Sequence, residues 1–121
     1  MLDKFGIGID IVKVSRFKNK PYLVNKKFYS KIFTNNEIKY CLNFKDPYPH
    51  FAGKFALKEA TIKATRKKIL IKEIETSHGK FDEPIVFSSK INDFHFESSL
   101  SHEENFAIAI VISFSTKKNR L

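Results

Sequence analysis

The chain has 121 residues, enough for one hydrophobic core and not for two. Lys and Arg number 22 against 13 Asp and Glu, a net charge of +9, and 42% of residues are hydrophobic, 13 Phe among them. That mixture excludes a disordered polyelectrolyte, and a single Cys excludes an internal disulfide framework and fits a reducing compartment. The longest apolar run, Phe106 to Phe114, is far too short to span a membrane. Met1-Leu2-Asp3-Lys4 lacks the basic-then-apolar pattern of a secretion signal. The expectation is one soluble, cytoplasmic domain over residues 1–121.

The charge is lopsided. Residues 1–72 hold 17 Lys/Arg and 5 Asp/Glu, net +12, whereas residues 73–121 are net −3. A basic half attracts polyanions, whether nucleic acid, anionic lipid, an acidic protein or a phosphorylated metabolite. A Lys-rich solvated surface explains the charge equally well.

Phe5-Gly6-Ile7-Gly8-Ile9-Asp10-Ile11-Val12 alternates with period two and predicts a strand. Phe5, Ile7, Ile9 and Ile11 share one face. Asp10 and the two glycines share the other, which something must approach closely. Residues 13–20 predict a short basic turn or helix, and Val24 to Phe33 a helix with Phe28 and Ile32 at i, i+4. Thr34-Asn35-Asn36-Glu37 is a capping box that opens a helix to about Phe44. Pro47-Tyr48-Pro49 ends it and prepares the next, the strong helical segment from Phe51 to about Thr65. Strand-like runs follow at Ile69–Thr76, Pro84–Ser88, Phe94–Leu100 and Phe106–Ser115, separated by turns at 78–80, 92–93 and 101–104. Lys117 to Leu121 reads as a polar tail that frays. Helices in the first half and strands in the second give an α+β class, helices packed on a mainly antiparallel sheet.

Several chemistries are disfavoured. Gly6-Ile7-Gly8 lies within a strand and lacks the third glycine of a dinucleotide fingerprint. His50, His78, His95 and His102 are scattered at no zinc spacing, and Cys41 has no motif around it. Asp10 between isoleucines and Glu59 within the Phe-Ala helix need explaining, because a carboxylate in apolar surroundings requires a partner. Asp10 with Arg16, and Glu59 with Lys63 at i, i+4, would be ordinary ion pairs. Alternatively, both carboxylates surround Mg²⁺, a hard cation that takes one or two of them plus substrate phosphates. Lys54, Lys58, Lys63, Arg66, Lys67 and Lys68 crowd one helix and its exit, as a solvated basic face or an anion site.

At this point the motifs resemble a known family. Gly6-Ile7-Gly8-Ile9-Asp10-Ile11-Val12 with Arg16 looks like the opening motif of the holo-acyl-carrier-protein synthases, the small 4′-phosphopantetheinyl transferases. Phe51-Ala52-Gly53-Lys54-Phe55-Ala56-Leu57-Lys58-Glu59-Ala60 with Lys63-Ala64 resembles their second motif, and Ile32 to Glu37 the segment between. Ile74-Glu75, Gly79, Pro84, Leu100-Ser101-His102 and Ala107-Ile108-Ala109 match the C-terminal half in order.

The resemblance implies Mg²⁺-dependent transfer of the phosphopantetheine arm of coenzyme A to a serine of apo acyl carrier protein, releasing 3′,5′-ADP. Asp10 and Glu59 would be the metal ligands, with Mn²⁺ able to replace Mg²⁺. Asp10, Glu59 and Lys63 would form the catalytic set, Lys63 meeting the pyrophosphate charge. Lys54, Lys58, Lys63 and His102 would bind coenzyme A, the co-substrate. Arg16 would face the acidic carrier protein. The resemblance also implies a homotrimer with sites between subunits. Two departures from the family pattern stand out. Thr65-Arg66-Lys67-Lys68-Ile69 is short and glycine-free where the family has a glycine-containing loop, and Lys54 replaces an Arg, giving up bidentate geometry. The competing reading is a non-catalytic nucleic-acid-binding domain that uses the Lys54–Lys72 segment and needs neither carboxylate.

Overall fold

The computed structural model describes residues 5–115, so the readings of Met1–Lys4 and of the Lys117–Leu121 tail lie outside the described residues. Strand β1 (Phe5–Lys13) leads into α1 (Ser15–Lys18), then α2 (Lys26–Ser30), α3 (Asn35–Leu42) and the long α4 (Tyr48–Thr65). Four strands follow: β2 (Glu75–His78), β3 (Pro84–Phe87), β4 (Phe94–His102) and β5 (Phe106–Ser115). One antiparallel sheet has the order β1-β5-β4, and β2 and β3 form a separate hairpin. The α+β expectation holds.

The seam between β1 and α4 organises the molecule. Gly6 and Gly8 turn toward the helix, where an added methyl would collide with the backbone carbonyl oxygens of Ala64 and Ala60. From β5, Ala107, Ala109, Val111 and Ser113 pack on the same side, and the Ser113 hydroxyl donates to the Ala64 carbonyl at 2.8 Å. Small residues therefore line the helix-facing side of the sheet, letting two backbones meet. The large residues go the other way. Phe5, Ile7, Ile9 and Ile11 are 50–60% exposed and register against Phe114, Ile112, Ile110 and Ile108 of β5.

The main core lies on the other flank of α4. Phe17, Tyr29, Phe33 and Phe51 are fully buried with ring centroids 4.7–6.4 Å apart, and the Tyr29 hydroxyl reaches the carbonyls of Phe17 and Lys20 at 2.9 and 2.7 Å. Such offset and tilted ring pairs tie the short α1 and α2 to α4 despite their poor intrinsic stability.

Two predicted elements are shorter than expected. Val24–Phe33 is not one helix: a 3₁₀ turn at Tyr22–Val24 precedes α2, which ends at Ser30. The chain leaves the helical path after Ser30, and just beyond it the Ile32 carbonyl accepts from the buried Lys58 ammonium at 2.6 Å. Ile69–Thr76 is not one strand either. The Glu73 carboxylate accepts from the Leu70 amide at 2.9 Å and closes a 3₁₀ turn at Ile71–Glu73, leaving β2 to begin at Glu75. The capping box at Thr34 forms as expected, with Glu37 N donating to Thr34 Oγ1 at 3.3 Å and Thr34 N to Glu37 Oε1 at 2.8 Å. Among the described residues, no helix is long and apolar enough to cross a membrane.

Candidate active site

Asp10 follows Gly6 and Gly8 on the helix-facing side of β1, which brings it to the flank of α4. Its Oδ1 accepts from Lys63 Nζ at 3.2 Å, and the same ammonium donates to the Ile9 carbonyl at 2.9 Å. Glu59 precedes Lys63 by one helical turn, on the same stripe, and is half-buried. Among the described residues Glu59 has no ion-pair partner, and Arg16 is not the partner of Asp10. Its guanidinium lies over the Phe55 ring, 4.6 Å from the centroid. The expected pairings of Asp10 with Arg16 and Glu59 with Lys63 are thus replaced by a single pair, Asp10 with Lys63. The Lys63 side chain is 55% exposed and that of Asp10 only 17%. The ammonium can swing away while the carboxylate stays. The donor set, two carboxylates of which one has no cationic partner, suits a hard divalent cation completed by substrate oxygens.

A second cluster lies at the start of α4. Lys54 is buried, donates to Thr76 O at 3.3 Å and Thr76 Oγ1 at 3.1 Å, and has the Tyr40 ring 4.6 Å away. Burial pushes its ammonium below the usual lysine range, against the opposing pull of Cys41, Glu37 and Glu75. Lys54 borders a cavity of about 450 Å³ with Asn36, Tyr40, Glu75, Thr76 and His78. The His78 ring stacks on Tyr40, and among the described residues its two nitrogens make no hydrogen bond, Nδ1 standing 3.4 Å from Asp82 Oδ1. The His102 ring covers Gly53, so that a methyl there would come within 2.7 Å of Nε2, and meets His50 edge to face at 6.3 Å. His102 therefore lies over the residue next to Lys54 in α4.

Lys58 is a correction. Placed by the sequence reading among the coenzyme A contacts, it is fully buried, and its ammonium is used on Glu37 Oε1 and the Ile32 carbonyl, both at 2.6 Å. Desolvation lowers its pKa and Glu37 opposes that shift. A substrate cannot reach it without unfolding this corner. The supposed basic face on this helix loses Lys54 and Lys58 to the interior, which weakens the nucleic-acid reading. Glu37, read only as a cap, is the residue the sequence analysis missed. Its partners are distant in sequence, and no local spacing rule reports them. Cys41 lies beside this network with burial pushing its thiol up to about 12, which makes it inert.

The two clusters do not converge within one chain. At about 100° per residue, Lys63 projects roughly opposite to Lys54 on the α4 cylinder. At the helix exit, Arg66 adopts the left-handed conformation (φ 57°) with its amide donating to Ile62 O at 3.1 Å. The conformation that glycine would favour at this cap is present without glycine.

Comparison with known proteins bears on this arrangement. Residues 6–111 match the family model of the 4′-phosphopantetheinyl transferase superfamily. A holo-[acyl-carrier-protein] synthase of Thermodesulfovibrio yellowstonii is 40% identical over 109 residues, covering 88% of this chain and 96% of the relative. Among solved structures, the Bacillus anthracis holo-(acyl-carrier-protein) synthase in complex with CoA (3′,5′-ADP) superposes with a TM-score of 0.79 at 31% identity, covering 91% of this chain and 96% of the other. The Helicobacter pylori enzyme in complex with coenzyme A gives 0.76 at 33% identity, with 88% and 98% covered.

Proposed function

The chain belongs to the 4′-phosphopantetheinyl transferase superfamily and is an enzyme of that class, and from this premise we propose that it converts apo to holo acyl carrier protein in the cytoplasm. The phosphopantetheine arm passes from coenzyme A to a carrier-protein serine. A new P–O bond to the serine oxygen forms as the pyrophosphate bond breaks, and 3′,5′-ADP leaves. The observation that carries this reading is the Asp10–Lys63 pair at the β1–α4 seam with Glu59 one turn away.

Asp10 and Glu59 are the residues that would hold Mg²⁺, or Mn²⁺ in its place, and the ion would neutralise pyrophosphate charge. Lys63, tethered by the Ile9 carbonyl yet exposed, swings to the oxygens on the leaving side. Transfer of this type asks for positioning and charge compensation more than covalent help, so no nucleophile on this chain is required. Lys54 and His102 meet the nucleotide end. Arg16, held over the Phe55 ring in an exposed basic stretch, meets an acidic helix of the carrier protein.

The active form is a homotrimer with each site shared between subunits. Two features support this: the outward row Phe5, Ile7, Ile9 and Ile11 needs cover, and the Lys54 and Lys63 clusters point to opposite sides of one helix. Light scattering should give three chains per particle, and Ile9→Lys should give monomers with lost activity.

The direct test incubates apo carrier protein with this enzyme, coenzyme A and Mg²⁺ and weighs the product by intact-protein mass spectrometry. A gain of one phosphopantetheine, lost with EDTA and in Asp10→Ala and Glu59→Ala, is the expected result. No gain from folded protein across several carriers would leave a binding-only role. Retained activity in both variants would refute the metal assignment.

A further inference from the structure

Glu37 is contacted in a way that leaves it no freedom. Its Oε1 accepts from Lys58 Nζ at 2.6 Å and from the Thr34 amide at 2.8 Å. Its Oε2 accepts from the Thr76 amide at 2.8 Å and from the Thr76 hydroxyl at 2.7 Å. All four partners are donors, and the residue is 1% exposed. Only an acceptor-only group fits: an amide in either orientation would turn its NH₂ against two donors.

The consequence runs one step further. A threonine hydroxyl has a single proton, and Glu37 claims it. The lone pairs of Thr76 Oγ1, together with the Thr76 carbonyl, are then turned to Lys54 Nζ at 3.1 and 3.3 Å. An ammonium has three N–H donors. Thr76 takes two, and the face of the Tyr40 ring lies 4.6 Å from the same Nζ; among the described residues no oxygen or nitrogen accepts the third, on the wall of the cavity of about 450 Å³. One carboxylate thus serves two buried lysines of α4, Lys58 directly and Lys54 through the threonine. Glu37, Lys58 and Lys54 together carry one positive charge, and it faces the cavity alongside the Glu75 carboxylate on the same wall.

We propose that Glu37 is a positioning residue for coenzyme A binding: through Thr76 it fixes the direction of the Lys54 ammonium, keeping one donor aimed into the cavity for an anionic group of the substrate. This rests on the transferase reading above and adds to it a relay, Glu37 to Thr76 to Lys54, that joins α3, β2 and α4 behind the binding surface.

The experiment measures the Kd of coenzyme A by calorimetry and its KM and kcat with apo carrier protein, using the full chain and Thr76→Val, Thr76→Ser, Lys54→Met, Thr76→Val/Lys54→Met and Glu37→Gln. Thermal melts follow each variant. Thr76→Val should raise Kd and KM about tenfold, the loss of one hydrogen bond to a charged group, with kcat at saturating coenzyme A within about twofold of wild type. Thr76→Ser, which keeps the hydroxyl, should restore wild-type values. The double variant should bind no worse than Lys54→Met alone, because both act through one ammonium. Glu37→Gln should shift KM in the same direction; if it does not fold, the Thr76 pair still decides. A lowered melting temperature in Thr76→Val with unchanged Kd and KM would overturn the relay and leave a structural network. So would additive effects of Thr76→Val and Lys54→Met. If wild-type protein binds no coenzyme A, the transferase reading falls and this inference with it; binding that ignores Thr76→Val sinks only the relay.

Discussion

Replacing Gly8 with Ala tests whether the β1–α4 seam positions the site. A methyl at Gly8 would fall inside the van der Waals boundary of the Ala60 carbonyl oxygen, and 2.9 Å from both the Ala60 carbonyl carbon and the Ala64 amide nitrogen. Ordinary contacts at such a carbon begin near 3.4 Å, and the Ala60 carbonyl oxygen is nearer still than these two atoms, so β1 must retreat from α4 by about 1 Å or more. Both colliding surfaces are backbone, and no rotamer change relieves them. The cost should reach the upper end of overpacking penalties, about 3 kcal/mol. For a chain of this length that is a drop in Tm of about 12 °C. Asp10 is two residues along the same face of the strand and moves with it, away from Glu59 and Lys63. A misplacement of this order costs roughly tenfold to a hundredfold in kcat.

Calorimetric melting and initial rates at 25 °C, where the variant remains folded, read the two effects separately. Gly79→Ala is the control. The three atoms nearest its methyl all belong to the Glu83 carboxylate, the far end of a flexible side chain, and the change should alter stability by less than about 1 kcal/mol. A Gly8→Ala protein that melts with wild type would refute the close-approach argument. One that melts lower yet keeps full kcat would refute the coupling between the seam and the site.

Lys58→Met leaves the buried Glu37 carboxylate without its cation, and should cost about 3–5 kcal/mol in urea unfolding; a loss below 1 kcal/mol would mean the pair is not closed to water. Arg66→Gly removes a side chain from a left-handed φ and should raise stability by about 1 kcal/mol, read as a Tm higher by about 4 °C. Burial holds the imidazoles of His50 and His78 below the ordinary histidine pKa. Unfolded chains take up protons below about pH 6.5 while the folded chain resists, so these two residues make stability fall as pH drops through that value. The urea midpoint should therefore decrease between about pH 7.5 and pH 5.5, and His50→Phe should flatten the change.

Much of this architecture is legible in the sequence because its signals are local. The alternation of residues 5–12, the glycines on the face of Asp10 and the capping box at Thr34 each specify geometry within a few residues. Asp10 and Glu59 were conspicuous as carboxylates in apolar segments. What was not legible is long-range. Lys58 and Glu37 are on different helices, and nothing local distinguishes a lysine bound for the interior from one on a solvated face. Lys58 also takes the Ile32 carbonyl just past the end of α2, a contact equally invisible to local spacing. The partner of Asp10 was open to any nearby cation, and close packing of α4 on the glycines decided for Lys63 over Arg16.

The order of strands in the sheet imposes an order in time. β5, the last of the described strands to be made, is the middle one, and both β1 and β4 depend on it for their hydrogen bonds. β1 is made well before β5 and has no strand to pair with in the interval. During that interval its isoleucine row and its unpaired backbone edge are open to other nascent chains. Among the described strands, the pairing of β1 with β5 spans the greatest separation in sequence, so it should set the rate of folding. A stop codon that removed β5 would take away both pairings of the sheet at once, leaving β1 and β4 as unjoined edges on the surface of α4.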